Sequence, residues 1–240
     1  MTLDGRTAVV TGAAQGLGEA IVRALHARGA SVVVADVNEV GAERIAAELG
    51  ERARAARVDV REREDVERLV RDAERLDVFV NNAALTVPRP LWEIEQDEWD
   101  DVLAVNLRGA FFGCQLAGPR MRAQGWGRIV NLASISGQQP GAMGAHYAAS
   151  KAGIVILTKL FAAELAPHGV TVNAVAPAAV RTPAFDVLSE ERLEALRQRI
   201  PVGRFGEPRE VAELVAFLCS DAGGYVTGAT MDVNGGLLMR

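Results

Sequence analysis

The stretch TAVVTGAAQGLGEAIVRAL, residues 7–25, decides the reading of the fold. Its first five residues are rich in β-branched side chains and read as a strand. Gly12, Gly16 and Gly18 follow, and a helical apolar pattern then runs over 16–28. Glycine in such a turn permits unusual φ and lets the backbone approach a ligand closely. The start of the helix offers free N–H groups and a positive dipole end to an anion. The spacing is GxxxGxG, not the GxGxxG of the dinucleotide-binding template. The alternative for the glycines alone is the shaping of a tight βα turn. No GK[ST] follows, so a nucleoside-triphosphatase loop is unsupported.

The same alternation continues along the chain. Further strands are expected at 31–36, 53–59, 76–82, 127–134, 170–177 and 229–235. Helices are expected at 39–49, 62–75, 97–123, 147–166 and 208–219. Apolar strands separated by helical crossovers predict βαβ units and a parallel sheet buried on both faces. Right-handed crossovers make this a doubly wound α/β sheet of about seven strands with helices on both sides. No linker divides residues 1–240, so one domain is expected. Two long connections, 84–96 and 176–208, follow the carboxyl ends of strands, the side on which open α/β sheets bind ligands. Connections of that length tend to be functional lids.

Composition narrows the partners. A formal charge of −5 over 240 residues gives no reason to expect nucleic acid or an anionic membrane. Charges in EREDVERLVRDAER (62–75) alternate in sign, as on a solvated helix face. Cys114 and Cys219 lie in apolar helical contexts and read as buried thiols, and the three histidines lack metal-ligand spacing, so no metal is expected. No apolar run reaches transmembrane length. The first residues lead directly into a strand, which gives the expectation of no signal peptide and a cytoplasmic protein.

Asp36 ends the second strand, eighteen residues after Gly18. An acidic side chain there can accept hydrogen bonds from adenosine ribose hydroxyls and would repel a 2′-phosphate, so NAD(H) is expected over NADP(H). Tyr147 stands four residues before Lys151 and thirteen after Ser134. Residues four apart share a helical face. A lysine ammonium about 4 Å from a phenol is worth roughly 4 kcal/mol at an effective dielectric near 20, enough to lower the phenol pKa by about two to three units. That would place it where acid–base catalysis works well. The pair alone also fits a surface aromatic beside a solvated lysine. Ser134, expected at the end of the fifth strand, adds a hydroxyl that can bond a substrate oxygen. It lacks the GxSxG elbow and activating histidine of a serine nucleophile. Asn106 is an amide amid apolar helical neighbours, where it needs a water or backbone partner.

Together TGAAQGLG (11–18), the VDV around Asp59, NNAA (81–84), Asn106, Ser134, YAASK (147–151) and PAAVRT (177–182) resemble the short-chain dehydrogenase/reductase family along almost the whole chain. The resemblance implies a Rossmann-type fold and an NAD(P)-dependent oxidoreductase that interconverts a secondary alcohol and a ketone. It implies Tyr147 as the acid–base, with Lys151 lowering its pKa and holding the nicotinamide ribose. Ser134 would position the carbonyl, and Asn106 would anchor a water between Lys151 and solvent. Gly12, Gln15, Gly16, Leu17 and Gly18 would cradle the cofactor. Asp59 and Val60 would meet the adenine, Asn82 and Ala83 the groove, and Pro177, Val180 and Thr182 the nicotinamide end. The chain departs from the family pattern at Ala84, Ala178 and Asn234.

Rival readings are a non-catalytic dinucleotide sensor or scaffold of the same fold, and a sugar-nucleotide epimerase. The second expects extra C-terminal length. The substrate site should be partly apolar, shaped by Trp92, Met143, Phe185 and Leu188, with His146 an exposed loop histidine. The helices over 97–123 and 147–166 carry more apolar residues than one packing face uses, and with the resemblance they imply a homotetramer.

Overall fold

Consecutive apolar residues form β1 (Thr7–Thr11) and β2 (Ser31–Asp36), both buried along nearly their whole length. A computed structural model describes residues 1–141, 143–182 and 189–239. In it β3 (Ala53–Arg57), β4 (Val78–Asn81), β5 (Gly127–Leu132), β6 (Val170–Pro177) and β7 (Thr230–Val233) complete one sheet. Its order is β3-β2-β1-β4-β5-β6-β7, and every pair is parallel. The chain builds outward from β1 to β3, then crosses back to place β4 on the other side of β1. The carboxyl ends of β1 and β4 therefore flank the point where strand order reverses, the place where such sheets form a ligand crevice.

The strands are apolar at successive positions because both faces are covered. On one face, Val10, Val34, Val80 and Val130 pack with Ile21 and Leu25 of α1 (Gly16–Ala27), Ile45 of α2 (Glu39–Leu49) and Val215 of α8 (Pro208–Cys219). On the other, Val9, Val33, Phe79 and Ile129 pack with Leu69 of α3 (Arg63–Arg71), Met121 of α5 (Gly109–Gln124) and Leu165 of α6 (Ala145–Leu165). Each such side chain contributes about 1.5–3 kcal/mol when fully buried. β3, at the sheet edge, is only half-buried and carries Arg54 and Arg57, charges of the kind that blunt an open edge.

The remaining elements depart from the sequence reading in defined ways. The helix expected over 97–123 is α4 (Gln96–Leu103), a π-helical turn at Ala104–Arg108, and α5. The π turn brings Asn106 into the interior, where it is 1% exposed. β5 stops at Leu132, and Ser134 instead caps a short 3-10 turn by accepting from Ser136 N at 3.1 Å. The long 176–208 connection contains α7 (Glu190–Gln198), started by the Ser189 hydroxyl. Both cysteines are buried, and burial pushes each thiol up to about 12. Among the described residues no helix is long and apolar enough to cross a membrane.

One polar cluster interrupts the second core. Asn81 of β4 and Asn131 of β5 are direct partners in the ladder. Asn81 donates to Asn131 Oδ1 at 2.8 Å, and Asn131 donates to Thr158 Oγ1 of α6 at 2.9 Å. Cys114 of α5 lies against both amides. These bonds satisfy the buried groups and fix how α5 and α6 sit on the sheet. A Cβ at Gly113 would lie 2.1 Å from Asn81 Oδ1 and 2.7 Å from Phe79, so no side chain fits there. Gly113→Ala is expected to lower unfolding free energy by about 1–3 kcal/mol, read as a lower urea midpoint. An unchanged midpoint would show that the cluster yields easily.

Candidate active site

The crevice between β1 and β4 is closed by two side chains. Thr11 Oγ1 accepts from Asn82 N at 3.1 Å and Ala83 N at 3.2 Å, and donates to Val80 O. Asn82 Nδ2 donates to Thr11 O at 2.9 Å and Gly12 O at 2.8 Å. The turn beyond them needs its glycines. Gly12 and Gly16 have φ of +64° and +58°, in the left-handed region that glycine enters without strain. A Cβ on Gly12 would lie 2.6 Å from Ala83 Cα, and one on Gly18 would lie 2.1 Å from Gly12 O. Leu17 packs into the first core. Gln15 precedes α1 in an extended conformation, and its side chain makes no cap bond, so N–H groups of the first turn stay open. A tight glycine turn with uncapped N–H groups, set at the reversal of strand order, fits a dinucleotide pyrophosphate.

Two acids border this turn. Asp36 accepts from Ala14 N at 2.8 Å through one oxygen and from Asn38 N at 2.9 Å through the other. Asp59 is held by Arg61, whose Nε donates to both carboxylate oxygens at 3.0 Å, and this pairing lowers the Asp59 pKa. Val60 packs over Gly109, where an added Cβ would lie 3.0 Å from its side chain.

The structure brings Ser134, Tyr147 and Lys151 together above the end of β5. The Tyr147 phenol lies near the hydroxyls of Ser134 and Thr86, which favour its ionised form. Lys151 is 2% exposed, and its Nζ donates to Leu132 O at 2.7 Å. Leu132 O is its one hydrogen-bond partner among the described residues, which leaves ammonium hydrogens available for ribose hydroxyls. Nζ lies 5.5 Å from the centre of the Tyr147 ring.

The electrostatics differ from the expectation of a phenol pKa lowered by lysine. Burial raises the Tyr147 pKa, and the Ser134 and Thr86 hydroxyls only partly offset that. Burial also pulls Lys151 down to about 8. The charge that was to stabilise a phenolate is itself poorly solvated.

Asn106 is a tie between segments. Its Oδ1 accepts from Leu85 N at 2.7 Å, and its Nδ2 donates to Leu85 O at 3.0 Å and to Ser150 Oγ at 3.1 Å. Ser150 in turn donates to Tyr147 O at 2.7 Å. His146 is not the exposed loop residue expected, because it is 0% exposed at the start of α6. Its ring joins Tyr147 N to Glu98. Trp92, expected in the pocket, is 93% exposed. Phe185 and Leu188 lie outside the described residues. Pro177 ends β6, and Val180 is buried beside Gly206, to which it forms a lone bridge. Thr182 is half-buried at the end of this described segment. The backbone demand falls one residue after Ala178, on Ala179, which has φ of +50°. Asn234 closes the C-terminal turn with bonds to Gly236 N and Leu238 O.

Sequence reasoning missed Thr86, Glu98 and Ser150. Thr86, a hydroxyl two residues beyond NNAA in a long loop, offered a weak signal. Glu98 offered none, because its partner arrives from α6.

The sequence model of the family described as enoyl-(acyl carrier protein) reductase matches residues 12–238. The 3-oxoacyl-[acyl-carrier-protein] reductase FabG of Vibrio cholerae is 38% identical over 243 residues, covering 100% of both chains. That of Haemophilus influenzae is 36% identical over 241 residues, covering 99% of this chain and 100% of the relative. The crystal structure of gox2181 superposes with a TM-score of 0.95 at 36% identity, over 98% of this chain and 96% of that one. These relatives correct the expectation of NAD(H) over NADP(H), because reductases of the FabG class are typically NADPH-dependent. Asp36 misled for a physical reason. Both its oxygens brace the backbone at Ala14 and Asn38, so an acid is useful there whatever the ribose carries. With matches along almost its whole length and a seven-stranded parallel sheet around a glycine turn, the chain is an enzyme of the short-chain dehydrogenase/reductase family.

Proposed function

We propose that the chain reduces the ketone of a 3-oxoacyl thioester, carried in the cell on acyl carrier protein, to a 3-hydroxyacyl product. The observation that carries the reading is the convergence of the Tyr147, Ser134 and Thr86 hydroxyls beside the glycine-turn crevice. The FabG relatives support the substrate class and, with it, NADPH as the hydride source. When bound, the nicotinamide would supply the hydride to the carbonyl carbon. Tyr147 supplies the proton to the carbonyl oxygen as negative charge develops there. Its raised pKa keeps the phenol protonated at neutral pH, the state an acid needs. Ser134 Oγ accepts from Ser136 N, and in the complex its own hydrogen would turn from the phenol to the same substrate oxygen. Two hydroxyl donors converging on one oxygen favour a ketone over a carbon–carbon double bond. Lys151 would hold the ribose and contributes positive charge below about pH 8.

The chain acts as one domain in this reading, as a cytoplasmic homotetramer. Ile156 and Leu160 of α6 are 53% and 61% exposed. Beside Ile156 runs a groove lined by Leu103, Leu107 and Phe111, which a second copy would cover. Sedimentation should give a mass of about four chains. A monomeric mass would contradict the assembly.

Activity is tested with NADPH oxidation over a panel of 3-oxoacyl thioesters and simple ketones. Thioesters should be reduced fastest. Tyr147→Phe should lose at least about a thousandfold in kcat while binding NADPH within about twofold of the parent affinity. Retention of most turnover would overturn the acid assignment.

Lys151 gives a pH signature in the absence of cofactor. Its folded pKa of about 8 lies below the ordinary 10.5. Between those values the unfolded chain binds more protons, so stability rises with pH across that window. Relative to Lys151→Met, the parent should gain about 2 kcal/mol between about pH 7.5 and about pH 9.5. Equal urea midpoint trends in the two proteins would show that Lys151 is not desolvated.

A further inference from the structure

We propose that His146 is a positioning residue that couples the 84–96 loop to the reacting end of α6 through Glu98. The inference rests on the reading of Tyr147 as proton donor and adds the device that holds it.

The N-terminus of α6 begins at Gly144, which has no side chain to cap it. Tyr147 N instead donates to Nδ1 of the preceding residue, His146, at 2.8 Å. An Nδ1 that accepts places the ring hydrogen of the neutral imidazole on Nε2. Nε2 faces Glu98 Oε1 at 3.1 Å, and Glu98 accepts there. The other carboxylate oxygen, Oε2, takes Arg89 NH2 at 2.8 Å and Nε at 3.1 Å. A relay of fixed polarity therefore runs from the Tyr147 backbone through His146 and Glu98 to Arg89.

Arg89 and Thr86 belong to the same loop. Thr86 lies near the Tyr147 phenol, while Arg89 reaches the Tyr147 backbone through the relay. One loop thus meets the residue at both its ends and is tied to its backbone end. The ring's place is also built into the backbone. Gly144 has φ of +89°, and a Cβ on it would lie 2.5 Å from His146 Cε1 and 2.8 Å from Nδ1. Gly144 leaves the space the imidazole fills. A misplacement of about 1 Å in a reacting group costs on the order of a hundredfold in rate, so a link that sets the height of Tyr147 against the loop acts on turnover.

Four variants separate this role from simple packing. His146→Asn keeps an acceptor for the next N–H but cannot reach Glu98. Glu98→Ala removes the acceptor, and Glu98→Gln restores one. The fourth combines His146→Asn with Glu98→Ala. Each is assayed with the panel ketone that the parent reduces fastest, alongside NADPH affinity and thermal midpoint. His146→Asn and Glu98→Ala should each lower kcat by about tenfold with NADPH affinity unchanged. The double variant should lose no more than either single one, as expected of two residues in one chain of contacts. Glu98→Gln should recover to within about threefold of the parent. Should His146→Asn fail to fold, the Glu98 pair, on a half-buried helix face, still decides the matter. Single variants with parent kcat, or losses that multiply in the double variant, would overturn the coupling. Read beside an inactive Tyr147→Phe, those results leave the acid assignment standing; an active Tyr147→Phe overturns both.

Discussion

The junction of β1 and β4 is the constraint on which the rest of the molecule depends. Reversal of strand order leaves a gap between two parallel neighbours whose following segments diverge. Thr11 and Asn82 bridge it with five hydrogen bonds that run side chain to backbone in both directions. Asn82 thereby holds the Gly12 carbonyl, and the Gly12 carbonyl sits where a Gly18 Cβ would be. The glycine turn is consequently fixed from the β4 side, not only by its own residues. A side chain at Gly12 or Gly18 would push directly against the stitching, whereas Gly16 is needed for its φ of +58°.

That junction also sets what the loop after β4 can do. Emerging from Asn82 and Ala83, the loop is caught at Leu85 by Asn106 and then passes Thr86 against the Tyr147 phenol. The π turn at Ala104–Arg108 makes the first contact possible, because the extra residue per turn brings a polar side chain into an otherwise apolar interior. The loop after β4, the crevice and α6 are thus positioned by backbone bonds to a few buried polar side chains. The apolar cores supply stability, and these amides and hydroxyls supply register.

Much of the fold was readable because its signals are local. Val9 and Val10 point to opposite cores, so β1 appears in the sequence as a continuous apolar run bounded by glycine. The helix bounded by Glu39 and Leu49 and the strand bounded by Val170 and Pro177 were placed to the residue. What could not be read depends on partners far along the chain. The break at Ala104–Arg108 reflects the pull of Leu85 and Ser150 on Asn106. His146 reads as a loop histidine until Glu98 arrives from α4 to bury it. Asp36 is the instructive case: an acid at the end of β2 has a ribose-binding reading and a turn-bracing reading, and spacing cannot separate them. For the Tyr147–Lys151 pair, spacing predicts proximity but carries no information on burial, and burial decides the sign of the pKa shift.

That sign bears on the direction in which the site works. A phenol beside an ammonium in water would be drawn toward phenolate, suited to taking a proton from an alcohol. Here Lys151 is withdrawn from solvent and Tyr147 is half-buried, and burial penalises each charge separately: the phenol is raised and the ammonium falls to about 8. At neutral pH the pair rests as neutral phenol and charged lysine. The Ser134 and Thr86 hydroxyls moderate this without reversing it. Such a resting state already holds the proton that an alkoxide will need. The ammonium, with Leu132 O as its described partner, lends positive charge beside the phenol as that proton leaves. A phenol that rests protonated is the state from which the proposed ketone reduction draws its proton.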